Sequence, residues 1–191
     1  MTNISVVIMA KDAQETIVET LDSLVEFSEV ILYLNDSSDN TKNIASNYKN
    51  VNIVDGEFIG FGPTKNKAAS YAKNDWILSL DSDEVILPVL LAEIASLKLE
   101  LDNEVFTLKR DNYFLDKHIK HSGWGQDFLV RLYNKTAHKF NENMVHEFIV
   151  TNEDTINTTL VNSFKHNAVT NIDQFLQKIM KYLLKLSMIV V

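Results

Sequence analysis

Two rhythms of apolar and polar positions alternate along the first half of the chain. Ile4 to Ala10 is an almost unbroken apolar run, which predicts a strand buried on both faces. Ile17, Leu21, Leu24 and Val25 then recur at three- and four-residue spacing, the helical rhythm. Residues 30–34 predict a second strand. A helix over 41–48 follows, with Asp39 or Asn40 as its cap. Residues 51–54 predict a short third strand, 64–72 a helix and 75–80 a fourth strand. Four such alternations imply right-handed crossovers and a mostly parallel sheet with helices on both faces.

The rhythm changes after Asp83. Pro88 suits the first turn of an apolar helix over 88–99. Strand-like pieces at 105–109, 128–133 and 147–150 come next, separated by aromatic and histidine-rich loops. Asn171 or Asp173 then opens a last helix. Ile172, Phe175, Leu176, Ile179, Leu183 and Leu186 mark its apolar face, and Lys178, Lys181 and Lys185 share another. Such a stripe predicts docking on the domain or contact with an anionic membrane surface.

Composition narrows the classes. The 191 residues suffice for one sizeable core. A net charge of −8 argues against a general nucleic-acid binder. Without cysteine, neither disulfides nor thiolate metal sites exist. The N-terminus lacks a basic region ahead of its short apolar run, and no stretch reaches membrane-spanning length. The expectation is a cytoplasmic protein, with the last helix able to rest on the inner membrane's cytoplasmic face.

The chemistry centres on Asp81-Ser82-Asp83-Glu84, directly after the apolar run Trp76 to Leu80. Ligands bind at this edge of open α/β sheets. Clustered carboxylates repel one another unless a cation lies between them. Mg²⁺ or Mn²⁺, held by one or two carboxylates and substrate phosphates, meets that need. The alternative is a solvated acidic turn. Gly60-Phe61-Gly62-Pro63-Thr64-Lys65-Asn66 stands at a predicted helix start, where free N–H groups suit anions and Lys65 reaches a phosphate. His118 and His121 have metal-like spacing but no third ligand nearby, and are read as surface or loop residues.

In order along the chain come ISVVIMAKD, DSSDNT, GFGPTKNKA, DWILSLDSDE, HSGWGQDFLVRLYNK and VHEF. This succession resembles family 2 glycosyltransferases with the GT-A fold. Among them it is most similar to the enzymes that add glucose to the inner core of bacterial lipopolysaccharide. The resemblance covers about residues 4–150. It implies an α/β GT-A domain over 1–170, with a nucleotide-sugar half (1–87) and an acceptor-side half (88–170), then the amphipathic helix 171–191. It also implies inverting transfer of a hexose from a nucleoside diphosphate sugar, UDP by resemblance, to a glycolipid or oligosaccharide acceptor, with divalent metal on the diphosphate.

For the donor, the resemblance assigns Ala10, Lys11, Asp12, Lys65, Asp81 and Ser82, with Asp83 on the metal. Leu34 occupies the place where similar enzymes carry an acid at the second strand's end, and Asp36 is the substitute for the base contact. Inversion needs a general base for the acceptor hydroxyl. Asp127, beside the Gly-Trp segment, and Glu147 are the two candidates, Asp127 being preferred. His146 either ligates the metal or orients Glu147. Trp124 offers a platform for an acceptor sugar, and Arg131 pairs with a carboxylate or the diphosphate. Two other readings stay open: a non-catalytic or truncated domain of the same fold, and a sugar-phosphate nucleotidyltransferase, although residues 8–16 lack the glycines of its usual opening loop.

Overall fold

The computed structural model describes residues 3–121, 125, 127–173, 175, 176 and 180. Trp124 lies outside them, as does most of the segment expected to form the C-terminal amphipathic helix. The strands β1 (Ile4–Ala10), β2 (Val30–Asn35), β3 (Val51–Gly56) and β4 (Trp76–Asp81) alternate with the helices α1 (Ile17–Asp22), α2 (Thr41–Ala45) and α3 (Phe61–Ser70). Then follow β5 (Glu84–Val85), α4 (Pro88–Ala95), β6 (Glu104–Phe114), β7 (Lys117–His118), β8 (Asp127–Asn134) and β9 (Ile156–Val169). One sheet runs β3-β2-β1-β4-β8-β6-β9-β5, with β7 paired to β6. It is parallel from β3 through β4, as expected, and mixed beyond: β8 joins β4 antiparallel, and β9 runs parallel to β6.

Strand alternation splits the core into two layers. Val6, Ile8, Leu32, Leu78 and Leu80 face α1, α2 and α4, where Leu21, Leu24, Ala45, Leu90 and Ile94 meet them. Val7, Ile31, Tyr33 and Ile77 face the opposite way, onto Ala68, Ala69 and Ala72 of α3 and its C-terminal end. Alanines let α3 approach the sheet closely. Lys65 lies on the same stripe, at i relative to i+3, i+4 and i+7, so its ammonium is carried inward beneath the sheet edge.

Two expectations change. Residues 147–150 form no strand; Ile149 makes one isolated bridge to Phe140. The 14-residue β9, which no alternation announced, borders β6 and brings His166 to Glu84 of β5. Its sequence, INTTLVNSFKHNAV, is polar at most positions because only part of one face meets the core.

The start of α3 also differs from expectation. The N–H groups of Phe61 and Gly62 donate to the carbonyls of Met144 and Asn143, so they are spent on the 141–148 loop and hold no anion. That packing leaves no room at Gly62, where a Cβ would stand 1.9 Å from the Asn141 carbonyl oxygen. Gly62→Ala is therefore expected to cost about 1–3 kcal/mol, read as a lowered melting temperature, because backbone must move to relieve the clash.

Candidate functional site

The C-terminal ends of β1, β2 and β4 border a cavity of about 560 Å³ lined by Met9, Lys11, Asn35, Phe58, Phe61, Asp81, Ser82, Asp83 and His166. A second cavity, of about 350 Å³, adjoins it and shares Lys11, Ser82 and Asp83. Lys11 makes no ion pair among the described residues, so its ammonium is free to meet an anion where the cavities join.

Asp81 is not a free ligand. Lys65 Nζ lies 2.9 Å from its Oδ1, and Arg131 Nη2 donates to its Oδ2 at 2.9 Å. Burial raises the Asp81 pKa, but the two cations outweigh it and hold the carboxyl well below its ordinary range. Lys65 has 3% side-chain exposure and also pairs with Glu147 Oε1 at 2.9 Å, above the Phe140 ring. It thus holds the end of β4 and the 141–148 loop together and does not line the cavity. Arg131, expected to pair with a carboxylate or the diphosphate, is buried against carboxylates; its Nη2 also donates to Glu84 Oε1 at 2.5 Å. Its position follows from a β-bulge. The β6–β8 register jumps from Phe106↔Leu132 to Thr107↔Val130, leaving Arg131 as the extra residue. Bulges re-aim side chains in this way.

Glu84 is fully buried. It accepts the Asp81 N–H at 3.0 Å and lies 3.5 Å from Arg110 Nη1. Burial, with Asp81 close by, pushes its pKa up despite Arg131. Arg110 in turn pairs with Asp127 directly across the β6–β8 ladder. Both base candidates therefore end one alternating row of charges: Glu147, Lys65, Asp81, Arg131, Glu84, Arg110, Asp127.

Asp83 has a different setting. Its side chain is about a third exposed, and its Oδ2 faces His166 Nε2 at 3.5 Å. His166 Nδ1 lies 2.6 Å from Asn112 Oδ1. An accepting Oδ1 places a proton on Nδ1, so that a neutral ring would present its Nε2 lone pair to the space beside Asp83. Two electron-pair donors facing one space suit a hard or borderline divalent cation. Among the described residues no cluster of three such side chains exists, so a cation held here would need its further ligands from phosphate oxygens and water. His146 is exposed, at φ 59, with no ion pair to Asp83 among the described residues.

The other expected residues divide. Ala10 is buried and contributes backbone at the end of β1. Asp12 lines the second cavity, but its Oδ1 accepts from Ser38 N–H at 2.7 Å, which ties the β1 and β2 loops together and lowers its pKa. Asp36 is exposed, at φ 57, and lines neither cavity. Asn35 lines the larger one; it is 6% exposed, and its Oδ1 has no hydrogen-bond partner among the described residues. Sequence reasoning missed Asn35, His166 and the Phe58–Phe61 edge pair, whose rings are 5.1 Å apart. Phe58 and Phe61 flank a glycine and were visible as an aromatic loop. His166 had no local signal.

The family model of glycosyl transferase family 2 matches residues 5–165, which include the whole charged row and the ends of β1, β2 and β4 that border the cavities. The chain belongs to this family. A similar fold is seen in a crystal structure of Staphylococcus aureus TarS residues 1–349, with a TM-score of 0.56 at 16% identity over 86% of this chain and 60% of that one. The same protein in complex with UDP-GlcNAc gives 0.54 at 17% identity, over 84% and 59%. At these identities the likeness is one of fold. An uncharacterized glycosyltransferase of Rickettsia prowazekii is 27% identical over 93% of this chain and 64% of its own length. One of Rickettsia typhi is 32% identical over 49% of this chain and 32% of its own. The chain thus spans under two thirds of these relatives. No described helix is long and apolar enough to cross a membrane.

Proposed function

We propose that this domain transfers a hexose, glucose by resemblance, from a nucleoside diphosphate sugar to a lipopolysaccharide-core or similar glycan acceptor, inverting the anomeric centre. The observation that carries the reading is the cavity at the strand edge, where Asp83, Ser82 and the free cation Lys11 converge beside an aromatic pair. TarS, of the same fold, is known in complex with UDP and with UDP-GlcNAc; uridine is accordingly the base proposed here.

Phe58 and Phe61 offer the base an apolar face. Asn35, at the end of β2, hydrogen-bonds to it: the Oδ1 acceptor takes the imide N–H of uracil. Lys11 meets the diphosphate as a point charge. Asp83 and His166 would hold Mg²⁺ or Mn²⁺, which when bound there neutralises charge building on the departing nucleoside diphosphate. Asp81, fixed by Lys65 and Arg131, lies beside the ribose. Asp127 takes the proton of the acceptor hydroxyl as its oxygen attacks C1 from the face opposite the diphosphate. Glu147 is bound to Lys65 and keeps the 141–148 loop against the donor edge.

The test is calorimetric titration with UDP, with and without Mn²⁺, followed by hydrolysis assays on a panel of nucleotide-sugars. Metal-dependent UDP binding and slow hydrolysis of one donor are expected. Binding without any turnover, with every donor and glycan tried, would favour a non-catalytic domain; no nucleotide binding by folded protein would overturn the donor site. Asn35→Leu should weaken UDP binding about tenfold, the loss of one hydrogen bond, with no loss of melting temperature. Unchanged affinity would remove Asn35 from base recognition.

A further inference from the structure

The charged row contains a group that the transfer chemistry does not require to touch either substrate. Glu84 is completely buried, yet it gathers two arginines from two different strands and one backbone N–H. A buried carboxylate with so many donors is costly to desolvate, and a hydrophobic residue of similar size commonly serves stability as well. Stability alone gives no reason for an acid here. Its geometry gives one. Arg131 reaches from Glu84 to Asp81 at the donor edge. Arg110 reaches from Glu84 to Asp127 on the acceptor side. Resting on the transfer reading above, we infer that Glu84 is a positioning residue, which sets the place of Asp127 relative to the donor edge through Arg110 and Arg131.

Rigidity links these contacts to the reaction. Asp127 follows residues of the 119–126 connection and is itself about a third exposed, so its strand alone does not fix the carboxylate. The guanidinium of Arg110 does, through the charge-assisted bond from its Nη2 to Asp127 Oδ2. Arg110 is long and would itself be free to swing. Glu84, which sits on β5 and is packed on all sides, pins it from behind. The same carboxylate pins Arg131, so one immobile group orients both ends of the reaction: the acid beside the ribose and the base beside the acceptor. Misplacement of a reacting group by about 1 Å costs about a hundredfold in rate.

Glu84→Gln keeps the volume and one acceptor but removes the charge that holds both arginines. The experiment compares this variant with wild type in melting, in UDP–Mn²⁺ calorimetry and in steady-state hydrolysis of the donor that the panel identifies. The expected result is a single cooperative melt, UDP affinity within about threefold of wild type, and kcat lower by about a hundredfold at unchanged donor KM. Glu84→Asp, which keeps the charge on a shorter stem, should recover part of kcat. Should Glu84→Gln fail to fold, Arg110→Gln cuts the row on the Asp127 side alone, and the same kcat loss with intact UDP binding is expected. Wild-type kcat in the variants would overturn the inference. So would a loss of UDP affinity matching the loss of kcat, because Glu84 would then act at the donor edge only. A wild-type chain without nucleotide binding or turnover would overturn the transfer reading, and this inference with it. A wild type that turns over beside variants that do so equally well removes the inference alone.

Discussion

Asp83→Ala should abolish Mn²⁺-dependent UDP binding and lower kcat/KM about a thousandfold, while the protein melts within about 2 °C of wild type. The two halves of this expectation have separate physical grounds. The side chain of Asp83 has one close polar neighbour, His166 at 3.5 Å, and it borders both cavities. Its structural bonds are made by backbone: the carbonyl accepts the Asn167 N–H at 2.9 Å, and alanine keeps that bond. Truncation therefore removes no buried partner, and such changes usually stay within about 0.5 kcal/mol. The activity loss follows from the metal. Lewis-acid stabilisation of a departing diphosphate is worth several kcal/mol, and each 1.4 kcal/mol or so is tenfold in rate. His166→Ala should show the same pattern more weakly. Calorimetry with and without Mn²⁺, beside thermal melts, checks both. Full turnover in Asp83→Ala would remove the metal from Asp83. Asp81→Ala is a poorer probe of the same question, since it strands two buried cations and confounds activity with folding.

Arg131→Ala is expected to be the most damaging to stability, at about 3–5 kcal/mol and on the order of 10 °C in melting temperature. Its removal leaves Glu84, with no exposure, and the inner face of Asp81 without their shared cation. Arg131→Lys should lie between, because an ammonium keeps the charge but ends on a shorter stem than the Nη2 that meets both carboxylates. The pH dependence has a definite sign. Asp81 has a folded pKa below its ordinary value of 3.8, so it contributes stability at neutral pH that is lost as pH falls through the folded value. Glu84 is raised above 4.5, so its ionisation opposes folding at neutral pH and its protonation relieves that opposition as pH falls. Without Arg131 both carboxylates take up protons more readily. The penalty of Arg131→Ala should therefore be largest at about pH 7.5 and shrink towards about pH 5. Melts of both proteins at the two values measure this. A penalty that stays constant or grows on acidification would mean that packing, rather than unpaired charge, dominates.

The legible parts of this protein are those whose physics is local. The run Ile4–Ala10 is apolar at nearly every position because helices cover both sides of β1, and that alone predicted a central strand. Trp76 to Leu80 ending in three acids identified the strand edge where a ligand would sit, and Asp83 is where that pattern put it. Lys65 was half legible. Its place in the glycine-rich segment suggested a phosphate contact, whereas its spacing to Ala68, Ala69 and Ala72 marks a buried stripe; the fold followed the spacing, and Lys65 became an internal tie. Arg131 could not be placed from its neighbours, because its direction comes from a register shift between two strands.

Residues far apart in the chain had no such signal. His166 lies on a strand too polar to announce itself, and only the pairing of β9 with β5 and β6 brings it to Asp83, 83 positions earlier in the chain. Asn35 and Asp36 are adjacent, and composition does not say which faces a cavity; the end of β2, with Asn35 inside and Asp36 at positive φ outside, decides it. Local pattern was enough for the parallel α/β half of the sheet and for the acidic residues at its C-terminal edge, since periodicity and charge act between near neighbours. Only the packing of distant segments sets which carboxylates are neutralised by buried cations and which, Asp83, stays part-exposed at the cavity, because ion pairing and desolvation depend on distances between segments that the order of residues does not contain.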